Sequence, residues 1–113
     1  MRIPIVNEQD EVVRYKERQD RDSRDIWRIA CLWVTAPNGD ILLARRAFTK
    51  KYHPGVWGPA VSGTVEEGET YESNIIKEAA EEIGLKDFKP VLGPKRKRSD
   101  GYEYFIQWFT AII

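Results

Sequence analysis

A chain of 113 residues is long enough for one domain with a real core and short for two. Its 18 basic and 18 acidic residues cancel, so no global field argues for nucleic acid or an anionic membrane as a partner. An apolar fraction of 42% with four tryptophans excludes a disordered chain, and no apolar run approaches the roughly 18 residues of a membrane span. Residues 1–113 are therefore read as a single domain. No N-terminal apolar segment resembles a secretory signal, so a cytoplasmic protein is expected. Cys31, the only cysteine, has no internal partner and sits in an apolar run, as a small core residue would.

Residues 3–6 (IPIV) and 12–15 (VVRY) read as short strands around the turn-prone NEQD. The following KERQDRDSRD is almost wholly charged and is expected to be a solvated loop or loose helical turn. Residues 27–36, WRIACLWVTA, form the strongest strand, continuous enough in apolar residues and β-formers for a central strand covered on both faces. Asn38-Gly39 is a two-residue hairpin signal, and ILLARR at 41–46 is the returning strand. The loop AFTKKYHPGVWGP suits the rim of a site and carries His53, the only histidine, which has no second histidine for a ligand pair. Residues 60–65 read as a short strand delivering Gly63, whose missing side chain allows close approach of backbone to a ligand.

A helix follows. Thr70 is a good N-cap, although Ser73 stands where a capping box carries Glu or Gln, and Gly84 is a common kind of helix end. Glu78, Glu81 and Glu82 stand at i, i+3 and i+4, within about 100° of one another on one helix face. Ile76, Ala79, Ala80 and Ile83 are expected to form the opposite, dry face. Exposed like charges at this spacing cost roughly 0.2–0.5 kcal/mol per pair, and a divalent cation would offset that cost. Magnesium prefers oxygen ligands and suits such an array, whereas the bland alternative is a solvated acidic face. Residues 87–94 return to the sheet. The basic run Lys95-Arg96-Lys97-Arg98 is expected at an exposed hairpin tip, with a clamp for substrate phosphates as the alternative. Residues 102–113, YEYFIQWFTAII, form a long aromatic strand.

Residues 63–85, GTVEEGETYESNIIKEAAEEIGL, resemble the Nudix box, written G-x5-E-x7-R-E-U-x-E-E-x-G-U with U a bulky aliphatic residue. Gly63, Glu69, Glu78, Glu81, Glu82, Gly84 and Leu85 match; Lys77 replaces the usual arginine, and Ala79 a larger aliphatic residue. The resemblance implies a Nudix-like α/β (α+β) fold, an α/β/α sandwich around a mixed sheet. Nudix domains normally continue into a further strand and a second helix, so a chain ending in apolar strand residues is read as C-terminally shortened, or as covered by another copy in a homodimer. A Lys77–Glu69 pair is the implied loop-to-helix tie, without the two-pronged geometry of arginine.

The resemblance also implies a chemistry. Family substrates are a nucleoside or other group joined by a diphosphate to a second moiety, and water attacks phosphorus with the help of Mg²⁺ or Mn²⁺. Glu78, Glu81 and Glu82 are the implied metal ligands, with the Gly63 carbonyl as a further one. Glu78 or Glu82 is the implied base that orients or deprotonates water, and Glu103 is a candidate outside the box. Arg46 and Trp57 are weaker candidates for substrate contacts. The wider stretches WRIACLWVTAPNGDILLARRA and HPGVWGPAVSGTVEEGE resemble Nudix hydrolases close to isopentenyl-diphosphate isomerase. That isomerase needs a cysteine where Ser62 stands and a histidine where Thr64 stands, so hydrolysis is the expected reaction. A non-catalytic module binding through the same pocket is the other alternative.

Overall fold

The computed structural model describes residues 1–51 and 53–113; position 52, which falls within the stretch AFTKKYHPGVWGP, lies outside the described residues. Its axis is β3 (Ile26–Thr35), built from the most continuously apolar run of the chain. On one side β3 runs parallel to β8 (Glu103–Ile112), in register from Ile26 opposite Glu103 to Thr35 opposite Ile112. On the other it pairs antiparallel with β6 (Val61–Thr64), with the tip of β4 (Ile41–Arg45), and through Val6 with β1 (Arg2–Val6). β1 forms a hairpin with β2 (Val12–Glu17), β5 (Trp57–Pro59) adds to β4, and β7 (Val91–Ser99) covers the outer edge of β8. The result is a mixed sheet with one helix, α1 (Tyr71–Ile83), against it.

Period-two alternation sorts the sheet residues. Ala30, Leu32 and Val34 of β3, Val61 of β6, and Phe109 and Ala111 of β8 point to the helix, where Ile75 and Ala79 close the core. Trp27, with Ile3, Ile5 and the partly buried Ile29, Tyr102 and Tyr104, packs as a second cluster. Trp27 lies edge-on to Tyr102 and stacks on Tyr104, with centroids 5.5 and 5.9 Å apart.

The dry face of α1 differs from the expected one. Asn74, Ile75 and Ala79 are buried, whereas Ile76 is 42% and Ile83 37% exposed. Two adjacent isoleucines leave the helical phase ambiguous, and packing over Leu32 and Val34 selects Ile75. Ile75→Ala is therefore expected to cost about 3 kcal/mol of stability and Ile76→Ala under about 1 kcal/mol, read from denaturant midpoints. The reverse order would refute this phase.

Two further expectations change. Ser73 does complete a capping box: its backbone N–H donates to Thr70 Oγ1 at 3.0 Å, and its Oγ accepts from the Thr70 N–H at 2.9 Å. Serine thus reaches the cap with a shorter arm than Glu or Gln. The basic run 95–98 is not a hairpin tip but the middle of β7, and the turn follows at Ser99–Tyr102. Lys95 pairs with Asp10 at 2.8 Å, and Lys97 pairs with Glu8 at 3.1 Å and Glu103 at 2.5 Å, so both ammonium groups are engaged by carboxylates. The charged stretch before β3 holds a short 3-10 turn at Arg18–Asp20.

Candidate active site

β6 places Gly63 opposite Ala30, on the helix side of the sheet. A Cβ at this position would run into the Glu78 side chain and stand 2.9 Å from Asn74 Oδ1, so glycine is what lets α1 seat against the strand. The intervening loop is tied to the helix by a small polar network. The Lys77 ammonium lies 2.7 Å from both Glu69 Oε2 and Glu66 Oε2. Glu69 Oε1 accepts from the Glu66 N–H at 2.8 Å and from Asn74 Nδ2 at 3.0 Å, and Asn74 Nδ2 also reaches the Thr64 carbonyl at 3.1 Å. The expected Lys77–Glu69 tie is present, and Glu66 shares it. These contacts have titration consequences. Hydrogen bonds to Glu66 and Glu69 raise Lys77 above the usual lysine range. Against the cost of burial, Lys77 and its neighbours hold the Glu69 carboxyl below its ordinary value. Glu69 therefore stabilises the fold above pH 4.5, its ordinary value, and that contribution is lost as pH falls through its lowered native pKa. Glu69→Gln is expected to flatten the acid limb of the stability–pH curve below that value and to leave the neutral shape unaltered.

One helical turn apart, Glu78 and Glu82 face each other beside Gly63. Partial burial, a hydrogen bond with Glu78 and the charge of Glu78 push the Glu82 carboxyl up to about 7, partly offset by the Ser62 backbone N–H. Two facing carboxylates concentrate negative charge at one point, which disfavours ionisation of both together. The fully buried Asn74 Oδ1 has no hydrogen-bond partner and lies close to the same spot. A carboxylate pair, an unpartnered acceptor oxygen and a strand glycine make a donor set of hard oxygens that fits Mg²⁺ or Mn²⁺. Glu81 is set apart from this group: it is exposed and lines neither cavity described below. Among the described residues no three His, Cys, Asp or Glu side chains converge as a ready-made metal nest. Of the three glutamates, Glu78 and Glu82 face each other, and the charge of Glu81 also acts on Glu82.

The pair opens onto two cavities that share Arg46, Lys50, Ser62 and Glu82. One reaches Gly63, Thr64, Glu78 and Arg18. The other, of about 550 Å³, extends to Arg45, His53 and the 58% exposed Trp57. There the Arg45 guanidinium lies between Phe48 and Trp57, 4.6 and 5.4 Å from the ring centroids, and its Nε donates to the Gly55 carbonyl at 2.8 Å. Arg46 and Trp57 both line this cavity. Glu103 does not: its carboxylate is held by Lys97, which lowers its pKa, and it lines neither cavity. The sequence reading missed Arg18 and Lys50. Arg18 looked like one more member of a solvated charge run, and Lys50 carries no local signal at all. Cys31 is buried, with its thiol pushed up to about 12 by burial, an inert core residue as expected.

Comparison with known proteins bears on this geometry. The model of the NUDIX domain matches residues 25–111. An uncharacterized Nudix hydrolase of Streptomyces coelicolor is 35% identical over 83 residues, covering 73% of this chain and 46% of that protein. Isopentenyl-diphosphate Delta-isomerase of Salmonella heidelberg is 39% identical over 61 residues, covering 52% of this chain and 34% of that enzyme. The chain thus spans less than half the length of these curated relatives. Among solved structures, a Deinococcus radiodurans protein superimposes with a TM-score of 0.74 and 26% identity, over 98% of this chain and 72% of that one. A MutT protein of Methanosarcina mazei, 18% identical, shares the fold with a TM-score of 0.69 over 78% of this chain and 64% of that one. Since the matched region holds the glycine, the loop tie and the paired carboxylates, the chain belongs to the NUDIX domain family.

Proposed function

We propose that this chain hydrolyses a diphosphate linkage in a nucleoside-diphosphate-X-type or related organic diphosphate, with Mg²⁺ or Mn²⁺ as cofactor. The observation that carries the reading is the Glu78–Glu82 pair beside Gly63, facing cavities lined by Arg18, Arg46 and Lys50. Glu78 and Glu82, with Glu81 and the Gly63 carbonyl, would hold the cation. Once bound, it supplies neutralisation of phosphate charge and a lowered pKa for water. The chain's own residues do the rest. Arg18, Arg46 and Lys50 bind the phosphate oxygens and reduce the repulsion that an incoming water meets. Glu82, common to both cavities, is placed to accept the proton of that water, and the Lys77–Glu66–Glu69 tie holds the helix carrying it at a fixed height above β6.

The test is phosphate or nucleotide release from a panel of nucleoside diphosphates, dinucleotides, sugar nucleotides and isoprenoid diphosphates, with and without magnesium. Magnesium-dependent release from at least one member is the expected result. Absence of release across the panel, despite ligand binding, would replace the hydrolase with a non-catalytic binding module. The likeness to the isomerase favours a second reading, but Ser62 and Thr64 lack the acid–base strength to move a proton on an unactivated alkene. Isopentenyl diphosphate incubated with magnesium should give no dimethylallyl product, and its appearance would reverse the assignment.

A further inference from the structure

We propose that Trp57 and Arg45 form a stacking platform, backed by Phe48, that receives a planar aromatic ring of the group attached to the diphosphate. This rests on the diphosphate-hydrolase reading and deepens it: the preferred substrate carries a nucleobase, not an isoprenyl chain.

Three observations support the platform. First, Trp57 and Arg45 line the same cavity as Glu82, Arg46 and Lys50, about 550 Å³ in volume, so one ligand can reach the carboxylate with its phosphates and the rings with its other end. Second, these rings are not core. Trp57 is 58% and Phe48 72% exposed, the most exposed aromatic side chains among the described residues, whereas Trp27, Phe105 and Phe109 are buried. Two large rings left in water beside a polar cavity are the composition of a ligand contact. Third, the platform is built in advance. β4 and β5 place Arg45 and Trp57 directly opposite one another. The Arg45 guanidinium fills the space between the Trp57 and Phe48 rings, and its Nε is engaged by the Gly55 carbonyl. Gly55 has a φ of +72°, and a Cβ there would stand 2.5 Å from Phe48 Cε1, so glycine is what lets the Phe48 ring close on the stack. The Arg46 N–H donates to the Val56 carbonyl at 2.9 Å and the Gly55 N–H to the Arg46 carbonyl at 3.1 Å, which closes the neck of this loop. Side chains fixed beforehand lose little freedom when a ligand lands on them, and indole and guanidinium both offer a flat face to a base. A flexible aliphatic chain gains most from a dry enclosure, whereas this cavity is edged by the exposed, polar Lys50 and His53.

The experiment measures affinities for adenosine diphosphate, uridine diphosphate, isopentenyl diphosphate and inorganic pyrophosphate by calorimetry, at fixed ionic strength and without divalent cation. The wild-type chain is expected to bind at least one of the two nucleotides about tenfold more tightly than pyrophosphate, and isopentenyl diphosphate less than about twofold more tightly. Trp57→Leu, which keeps apolar area but has no ring, should erase the nucleotide preference, and Trp57→Phe should keep most of it. The platform is overturned by a wild-type chain without that preference, by a larger gain for isopentenyl diphosphate, or by an unchanged preference in Trp57→Leu. Should Trp57→Leu fail to fold, Phe48→Ala at the more exposed position carries the test, with a fall in preference of about threefold expected and no change decisive against it. A preference lost in Trp57→Leu without turnover of any diphosphate refutes the hydrolase and keeps the platform. Turnover with an unchanged preference does the opposite.

Discussion

Replacing Glu82 by glutamine is expected to lower turnover about 10²–10⁴-fold and, in the same molecule, to raise stability above neutral pH. Both effects follow from one placement. Glu82 is common to both cavities and faces Glu78 across one helical turn, so its charge burdens the fold and, in the proposed reaction, serves the chemistry. The sign of the pH effect can be worked through. The native carboxyl holds its proton up to about 7, whereas an unfolded glutamate releases it near its ordinary value of 4.5. Between those values the folded state binds more protons than the unfolded one, so stability falls as pH rises, and above about 7 the loss is complete. Glutamine cannot ionise and abolishes that fall. Since the outer side of Glu82 is open to solvent, screening reduces the benefit, and a gain of about 1 kcal/mol at pH 8 is a fair expectation. Denaturant melts at pH 5 and pH 8, in chelator, measure it beside the phosphate-release rate. A variant that keeps its rate within twofold moves the chemistry elsewhere; one that is less stable than wild type at pH 8 removes the charge conflict from the account.

How far the sequence reached depended on the range of the contacts involved. Strands declared by local chemistry were legible: the apolar run of β3, the Asn38-Gly39 turn into β4 and the aromatic alternation of β8 are all at or within two residues of their expected places. So were the spacings that bring Gly63, Glu69 and Lys77 together, because a strand, a tight loop and a helix of set pitch leave little freedom between them. The helix face was not. Asn74 lies in the buried stripe with Ile75 and Ala79, and a polar residue there breaks the pattern that periodicity looks for. It is buried because its amide holds Glu69 and the Thr64 carbonyl, a requirement visible only once strand and loop are in place. The basic run failed for a related reason. Alternation in β7 turns Lys95 and Lys97 toward partners 85 and 89 residues away, Asp10 and Glu8, and no local window contains them. Arg18 reaches the site by the same kind of long-range closure: the β1–β2 hairpin, paired to β3 at Val6, carries the start of the charged stretch to the rim of the carboxylate cavity.

Gly63→Ala is the substitution that separates geometry from charge. It removes no ionisable group and leaves every candidate ligand in the sequence, yet its methyl would overlap the Glu78 side chain and stand 2.8 Å from the Glu78 carboxyl carbon. The strand cannot retreat, since Gly63 is paired with Ala30 in the middle of a four-residue ladder. The helix cannot easily lift, since Ile75 and Ala79 are packed beneath it and Lys77 ties it to the loop. Overpacking of this kind costs about 1–3 kcal/mol, and here the cheapest relief is rotation of Glu78 away from Glu82. The expected outcome is a stable, folded variant with turnover reduced more than about tenfold, and with the midpoint of its magnesium dependence shifted to higher concentration. A Gly63→Ala chain that melts at the wild-type midpoint and keeps the wild-type magnesium dependence would mean that Glu78 has room to spare, and that the close seating of α1 on β6 is not what sets the carboxylate pair. Activity lost together with the cooperative melt would point instead to strand damage, and Gly63→Ser, which adds a hydroxyl oxygen at the same crowded point, should then fail at least as badly.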